Sequence, residues 1–286
     1  MTDRRGLSPT VRRRRVAAEM RELRRTSGMS AADVAAALGW SESKVLYIES
    51  GKGVRPNPRD IEDLCEKVYK VTDERRDYYV KLARDGRLKG WWQSYDKMLS
   101  RPYTTYIGLE AEVSVIASFE AMVIPGLLQT PDYARALFAG SVPSLKDVEI
   151  DDLITVRMQR QQILRASDPA HLHSVVDEGA IRRIVGGPDV MRAQLKRLLE
   201  LAERPNITLQ VMPFDAATHP ALAGSFTVLQ FADAADAPAV YIETMSGELF
   251  IEEGVEQYTA AFDRLRETAL SPKDTIAVIA AVTATI

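Results

Sequence analysis

Through the first third of the chain, apolar residues recur every three or four positions, the spacing of one helix face. This spacing predicts helices near residues 10–26, 31–38, 42–50, 58–69 and 73–85. Gly39 ends the second helix, where glycine supplies a left-handed residue at no steric cost. Ser41 precedes the third helix and is expected to cap its first turn. Five short helices predict an all-α N-terminal domain.

Beyond Trp91 the spacing alternates between helical and strand periods. Helices are predicted at 106–121, 148–166, 177–185, 188–204, 255–269 and 272–283. Strands are predicted at 171–176, 207–212, 225–231, 240–243 and 248–251, the last two as a hairpin. The junction lies at Gly86 to Gly90. The prediction is therefore an N-terminal domain over 1–88 and an α+β domain over 89–286 with a mainly antiparallel sheet.

The second and third helices flank a Gly-Trp-Ser turn at residues 39–41. Val45 and Ile48 are expected to face inward, and Trp40 to pack within the turn. Two helices joined by a short turn containing glycine form a helix-turn-helix, whose second helix enters the DNA major groove. The competing interpretation is a helical hairpin that only packs. The turn is therefore the first indication of a DNA-binding protein.

This stretch resembles the XRE (phage-repressor-like) helix-turn-helix family, which implies a five-helix DNA-binding domain. The residues that carry the resemblance are Met29-Ser30, Asp33-Val34-Ala35, Leu38-Gly39, Ser41, Ser43, Val45 and Ile48-Glu49-Ser50-Gly51-Lys52. Many phage repressors place glutamine at the start of the first motif helix. Ala31 stands there in this chain, so base reading is expected to depend on the second helix.

Charge is divided unevenly along the chain. The whole sequence has 37 basic and 40 acidic residues, a net charge of −3. Residues 1–90 hold 21 basic and 14 acidic residues, and the remainder holds 16 and 26. A basic segment followed by an acidic one is typical of a nucleic-acid-binding domain on an acidic body. Basic side chains release counterions from phosphate, which provides much of the affinity.

The outward positions of the second motif helix are the predicted base-reading residues. Glu42 can accept from cytosine, Ser43 and Lys44 can donate to bases or phosphate, and Tyr47 can contact phosphate or a thymine methyl. Which of them contact bases is left open. The full predicted DNA-binding set is Arg12, Arg13, Ser30, Ser41, Glu42, Ser43, Lys44, Tyr47, Lys52 and Arg55. Arg12 to Arg15 either begin the first helix or form an arm in the minor groove.

The remainder of the chain resembles the uncharacterised domain that follows the helix-turn-helix in WhiJ-like regulators. The residues that carry this resemblance include Trp92, Tyr106 to Glu110, Pro125 to Arg135, Arg157, Gln161, Gln194-Leu195, Gly224-Ser225-Phe226 and Tyr241-Ile242-Glu243. Such regulators occur beside small partner proteins in antitoxin-like pairs. The resemblance implies transcriptional regulation and identifies no ligand.

Three interpretations of the body follow. In the first it dimerises and docks a small protein partner encoded nearby, and the protein is a repressor that binds double-stranded DNA as a homodimer. In the second it binds a small molecule where Gln129, Tyr133, Arg157 and Glu243 converge. The third is a nucleotide-processing enzyme, which the absence of a clustered acid/base set in the sequence disfavours. The expectation is therefore a protein that is not an enzyme.

Other chemistry has weak support in the sequence. His171 and His173 lie on one side of a strand, but no third or fourth metal ligand has a spacing signal, so no metal and no cofactor is expected. Cys65 is the single cysteine and lies within a helical pattern, as in a core. No stretch approaches the length of a membrane span. These features predict a cytoplasmic protein with no membrane association.

Overall fold

The computed structural model describes residues 8–51, 55–141, 146–216, 218–244 and 247–286. The chain forms two compact units. The N-terminal unit extends to Glu112 and includes Asp233–Asp236, and the sheet unit comprises Val113–Ala232 and Ala237–Ile286. The sequence places its domain division at residue 88. The segment from there to Glu112 groups with the N-terminal unit.

The N-terminal unit contains the five predicted helices and a sixth. The fourth predicted helix begins as an α-helix and continues as a π-helix over Leu64–Tyr69, which ends at Lys70 with φ 47°. The helices are α1 (Pro9–Thr26), α2 (Ala31–Leu38), α3 (Glu42–Ser50), α4 (Pro58–Asp63), α5 (Asp73–Asp85) and α6 (Arg101–Glu110).

One hydrophobic core joins α1 to α5. It is formed by the apolar stripe of each helix, so the helical spacing that predicts the elements also provides their packing. Its fully buried members include Val16, Met20, Val34, Val45, Ile61 and Leu64. Cys65 is buried in this core, and burial raises the pKa of its thiol to about 12. The expectation of a core cysteine is confirmed.

The sheet unit holds six strands and six helices among the described residues. Its strands are β1 (Val113–Glu120), β2 (His171–Asp177), β3 (Ile207–Met212), β4 (Phe226–Phe231), β5 (Ala239–Thr244) and β6 (Gly247–Ile251). Its helices are α7 (Pro131–Ser141), α8 (Asp147–Arg160), α9 (Glu178–Arg182), α10 (Pro188–Ala202), α11 (Val255–Thr268) and α12 (Pro272–Thr285).

The six strands form a single sheet in the order β3-β2-β1-β4-β5-β6. Pairs β1–β4, β4–β5 and β5–β6 are antiparallel, and pairs β1–β2 and β2–β3 are parallel. The α+β class with a mainly antiparallel sheet is therefore confirmed. Helices α7 to α10 lie in the connections between the parallel strands, which need long crossovers.

The sequence-based prediction of one helix from Tyr106 to Ala121 is wrong. The chain ends α6 at Glu110 and then forms β1, which lies between β2 and β4. Residues 113–120 carry Val113, Val115 and Ile116, whose branched side chains suit a buried strand. A strand covered on both faces has a continuous apolar run, which periodicity does not distinguish from a buried helix.

One hydrophobic core of the sheet unit lies between the sheet and α11. Phe119, Val228 and Val240 lie in a core closed by Phe262 and Leu265 of α11. Within the described part of the chain, no helix is both long and apolar enough to cross a membrane.

Candidate DNA-binding surface

A serine caps the first turn of each of the two motif helices, Ser30 on α2 and Ser41 on α3. Ser30 Oγ accepts from the Asp33 N–H at 3.1 Å, and the Asp33 carboxylate accepts from the Ser30 N–H at 2.9 Å. The side-chain and backbone hydrogen bonds from Ser30 lower the pKa of Asp33. Ser41 Oγ accepts from the Lys44 N–H at 3.3 Å. Both serines therefore cap the first turn of a motif helix and fix where that helix begins.

The turn between the helices has the geometry that its glycine predicts. Gly39 has φ 66°, a left-handed conformation that closes α2. Val45 and Ile48 are 1% and 4% exposed, which confirms that they anchor α3 to the core. Because these two residues face the core, the opposite face of α3 points outward.

An ion pair with little exposure ties α3 to α1. Arg24 donates from Nε to Glu49 Oε1 at 2.8 Å and from Nη2 to Oε2 at 2.9 Å. Glu49 is 3% exposed, and its backbone carbonyl also accepts from Arg21 at 2.5 Å. The hydrogen bonds that Arg24 donates to Glu49 raise the pKa of Arg24. This bidentate contact fixes the orientation of the second motif helix.

The outward face of α3 carries polar and apolar residues together. Glu42 and Ser43 are exposed, and Tyr47 is 59% exposed. Leu46, which is 48% exposed, also belongs to this face, although it is absent from the sequence-based set. The sequence does indicate the outward position of Leu46, because it lies three residues after Ser43, and this spacing places both residues on one side of a helix. An exposed leucine can contact a thymine methyl.

Lys44 does not extend freely from α3. Its Nζ pairs with Asp60 of α4 at 2.8 Å and lies 3.6 Å from the centre of the Trp40 ring. Trp40 therefore combines the expected packing role with a cation–π contact. These contacts hold the ammonium to one side of the helix, toward α4.

Arg12 and Arg13 occupy different positions from those the DNA-binding assignment requires. Arg12 is 7% exposed and pairs with Glu112 at 2.8 Å, so its guanidinium is not at the surface. Arg13 donates to the Gly86 carbonyl at 2.9 Å, and burial, with the nearby charge of Arg55, lowers its pKa. The run of arginines therefore begins α1, and the assignment of Arg12 and Arg13 to DNA stays a prediction.

Basic side chains gather beside the segment that follows α3. Arg55 and Arg59 are exposed, and Arg87 donates to the Arg55 carbonyl at 3.3 Å. The charge of Arg55 lowers the pKa of Arg13, so Arg13 and Arg55 lie near one another. Lys52 belongs to the predicted set but lies outside the described residues.

Comparison with protein families matches the two parts of the chain separately. Residues 15–78 match a helix-turn-helix domain. The chain therefore carries a helix-turn-helix DNA-binding domain, and the match ends within α5.

Residues 103–281 match a domain of unknown function (DUF5753), which covers more than half of the chain. The chain belongs to the DUF5753 family. No curated protein and no solved structure matches the chain.

A hydrogen-bonded network organises the first crossover of the DUF5753 domain. Gln129 is 2% exposed and donates to the Ile124 carbonyl at 2.6 Å, and its Oε1 accepts from Arg157 at 2.6 Å. Gln161 donates to the Gly126 and Gln129 carbonyls at 3.1 and 2.8 Å. These contacts fix the loop before α7 and place Gln129 and Arg157 in direct contact.

Tyr133 is fully buried in the same network. Its hydroxyl accepts from the Ile124 N–H at 3.2 Å, and burial raises its pKa. Gln194 of α10 accepts from the Thr130 N–H at 2.7 Å and donates to the Leu128 carbonyl at 2.9 Å. Tyr133 therefore stabilises the loop and does not face solvent.

Glu243 stands apart from this network at the exposed end of β5. It makes no hydrogen bond or ion pair with Gln129, Tyr133 or Arg157 among the described residues. The negative charge of Glu243 nevertheless raises the pKa of Glu120, the last residue of β1. The structure therefore brings three of the four predicted ligand-site residues together and leaves Glu243 outside their network.

Glu120 is the residue of this region that sequence reasoning missed. Burial raises the pKa of Glu120 to about 7, a shift that Glu243 increases and that Ser225 and Arg157 oppose. No local pattern marks Glu120, because residues 106–121 have the spacing of a helix and not of a strand.

Proposed function

We propose that the protein is a sequence-specific transcription regulator, a repressor, that reads DNA through the outward face of α3. The observation that carries this proposal is the exposed set Glu42, Ser43, Leu46 and Tyr47 on a helix fixed by Arg24 and Glu49. Side chains held on a rigid helix can meet base edges in the major groove. Arg55, Arg59 and Arg87 supply positive charge for phosphate contacts beside it.

Replacing Tyr47 or Leu46 with alanine is expected to weaken binding to the preferred duplex by about 1–3 kcal/mol each. Both side chains are exposed, so their loss removes DNA contacts and little packing. Fluorescence anisotropy at physiological salt measures the effect. Leu222→Ala is the matched control, since Leu222 is 70% exposed and lies in the sheet unit. Unchanged affinity in both α3 variants would place the reading surface elsewhere.

The proposal includes a homodimer on DNA. One helix-turn-helix contacts few base pairs, and two copies can read half-sites one helical turn apart. Light scattering on the complex with duplex DNA is expected to give two protein chains per duplex. A single chain per duplex at saturating protein would contradict the dimer.

For the sheet unit we propose that it docks a small protein partner encoded nearby and performs no catalysis. The two adjacent carboxylates at the end of β2 and the start of α9 accept hydrogen bonds from backbone groups. Asp177 accepts from the Gly179 N–H at 2.8 Å, and Glu178 accepts from the Phe214 N–H at 2.8 Å. A small-molecule site is the second candidate, favoured by the contact of Arg157 with Gln129 beside Glu120.

A cytoplasmic location accompanies this proposal. The thiol of Cys65 is buried in the N-terminal unit, where a reducing compartment would leave it unmodified. A regulator of transcription also requires access to the chromosome.

A further inference from the structure

Lys44 is the only basic residue within α3, whose other charged residues are Glu42 and Glu49. A lysine or arginine that donates to guanine O6 and N7 is the commonest base-specific contact in the major groove. Whether the Lys44 ammonium can reach the groove therefore decides whether α3 reads guanine through a cation.

Two contacts hold the Lys44 ammonium on the side of α3 that faces α4. Its Nζ lies 2.8 Å from Asp60 Oδ1 and 3.6 Å from the centre of the Trp40 ring. The side chains of Lys44 and Asp60 are 36% and 21% exposed, so water and salt screen this ion pair less than one at the open surface. An ammonium that turns away from this position gives up both the carboxylate and the indole ring.

Both partners of Lys44 are fixed by their own packing. Ile61, the residue after Asp60, is fully buried in the N-terminal core. Asn57 caps α4 by accepting from the Arg59 N–H at 3.1 Å, which fixes where the helix begins. Trp40 lies in the turn between α2 and α3 and packs against the same core. The carboxylate and the ring are therefore held in place by the fold, and Lys44 binds to them.

Glu42 lies on a different side of α3 from Lys44. The two residues are two positions apart, and residues at that spacing do not face each other on a helix. Glu42 is exposed together with Ser43, Leu46 and Tyr47. The surface that α3 presents therefore consists of a carboxylate, two hydroxyl groups and an apolar side chain, and its single cation is held at the flank.

We propose that Asp60 is a specificity-determining residue of the DNA-binding surface, because it holds Lys44 away from the major groove and removes a lysine–guanine contact from base reading. A Lys44 that turned to DNA would leave the Asp60 carboxylate beside α3 without its partner, and the phosphates would repel it. The inference rests on the proposed DNA-reading role of α3. It departs from the sequence-based prediction that Lys44 contacts DNA.

Selection of random duplexes by the full chain, followed by sequencing, compares the natural protein with Asp60→Asn. Asparagine keeps the size of the side chain and removes the charge that holds Lys44. The released ammonium should add a preference of about tenfold for guanine at one position of each half-site. Competition anisotropy with duplexes that differ only at that position measures the ratio of affinities. Asp60→Ser removes the same charge and should select the same new guanine.

Two further variants separate this role from a general effect of charge. Asp63→Asn removes a carboxylate of the same helix, which pairs with Lys67 at 2.8 Å, and should leave the selected motif unchanged. Lys44→Met with Asp60→Asn removes both charges of the pair. Because the pair makes no base contact in the natural chain, this double variant should select the natural motif with an affinity within about twofold. Thermal unfolding verifies that each variant is folded.

Three results would overturn the role of Asp60. They are an Asp60→Asn motif identical to the natural one, the same new guanine in Asp63→Asn, and a guanine lost from the motif of the double variant. A natural chain that selects a motif unaffected by Asp60→Asn would lose this inference and keep its regulatory role. A natural chain that selects no motif would lose the proposed function, and this inference with it.

Discussion

Asp236→Ala is expected to lower the free energy of unfolding of the N-terminal unit by about 3–5 kcal/mol, the cost of leaving a buried charge without its partner. Arg15 of α1 is 7% exposed and donates from Nε to Asp236 at 2.8 Å. Its Nη1 contacts the Tyr78 hydroxyl at 3.1 Å. Burial would lower the pKa of Arg15, but the hydrogen bonds that Arg15 donates to Asp236 and Tyr78 raise it.

Denaturant unfolding of the full chain, followed by amide exchange in α1, measures this effect. Asp233→Ala is the control in the same turn. Its side chain also contacts Arg15, but it is 55% exposed, so its loss should cost about 0–1 kcal/mol. Equal losses in the two variants would show that the Arg15–Asp236 pair is not a buried contact.

Glu120→Gln is expected to stabilise the sheet unit at pH 8 by up to about 3 kcal/mol and to leave it nearly unchanged at pH 4. The carboxyl pKa rises from 4.5 to about 7 on folding, chiefly through burial. The folded state therefore binds the Glu120 proton more tightly than the unfolded state does. The stability that this protonated carboxyl contributes is complete below pH 4.5. That stability is lost as the pH rises toward 7.

Thermal unfolding at pH 4, 6 and 8 measures the difference in stability between the variant and the natural chain. Glutamine mimics the protonated carboxyl, so the natural chain should fall behind the variant as the pH rises. Glu203→Gln changes an exposed glutamate and should show no such trend. A Glu120→Gln difference that is constant across this range would contradict the raised pKa.

The N-terminal helices could be predicted because each buries a stripe of apolar residues at regular spacing. Val45 and Ile48 mark the inward face of α3, and Gly39 marks its turn. The same periodicity also predicts that Leu46 lies on the exposed face of α3. These features are local in sequence, and local spacing encodes them.

The partners of the charged residues could not be predicted in the same way. Arg12 contacts Glu112, and Arg15 contacts Asp236, so each partner lies 100 or more positions away. Lys44 pairs with Asp60 from a different helix. Such contacts depend on how elements pack together, and no local pattern distinguishes a buried arginine from one that binds phosphate.

The sheet unit shows a similar division. Alternation and turn signals predict strands β2 to β6, whereas the residues of β1 fit the pattern of a helix. Only the family resemblance groups the residues of the crossover loop at the level of the sequence. Their contacts, such as Gln129 with Arg157, require the fold to bring two helices against one loop.

The most direct test of a DNA-reading α3 is selection of random duplexes by the full chain, followed by sequencing of the bound fraction. The account predicts one enriched motif, with two half-sites about one helical turn apart, that is lost in Tyr47→Ala while unfolding remains unchanged. No enrichment over the starting pool, or the same motif enriched equally by Tyr47→Ala and Leu46→Ala, would contradict it.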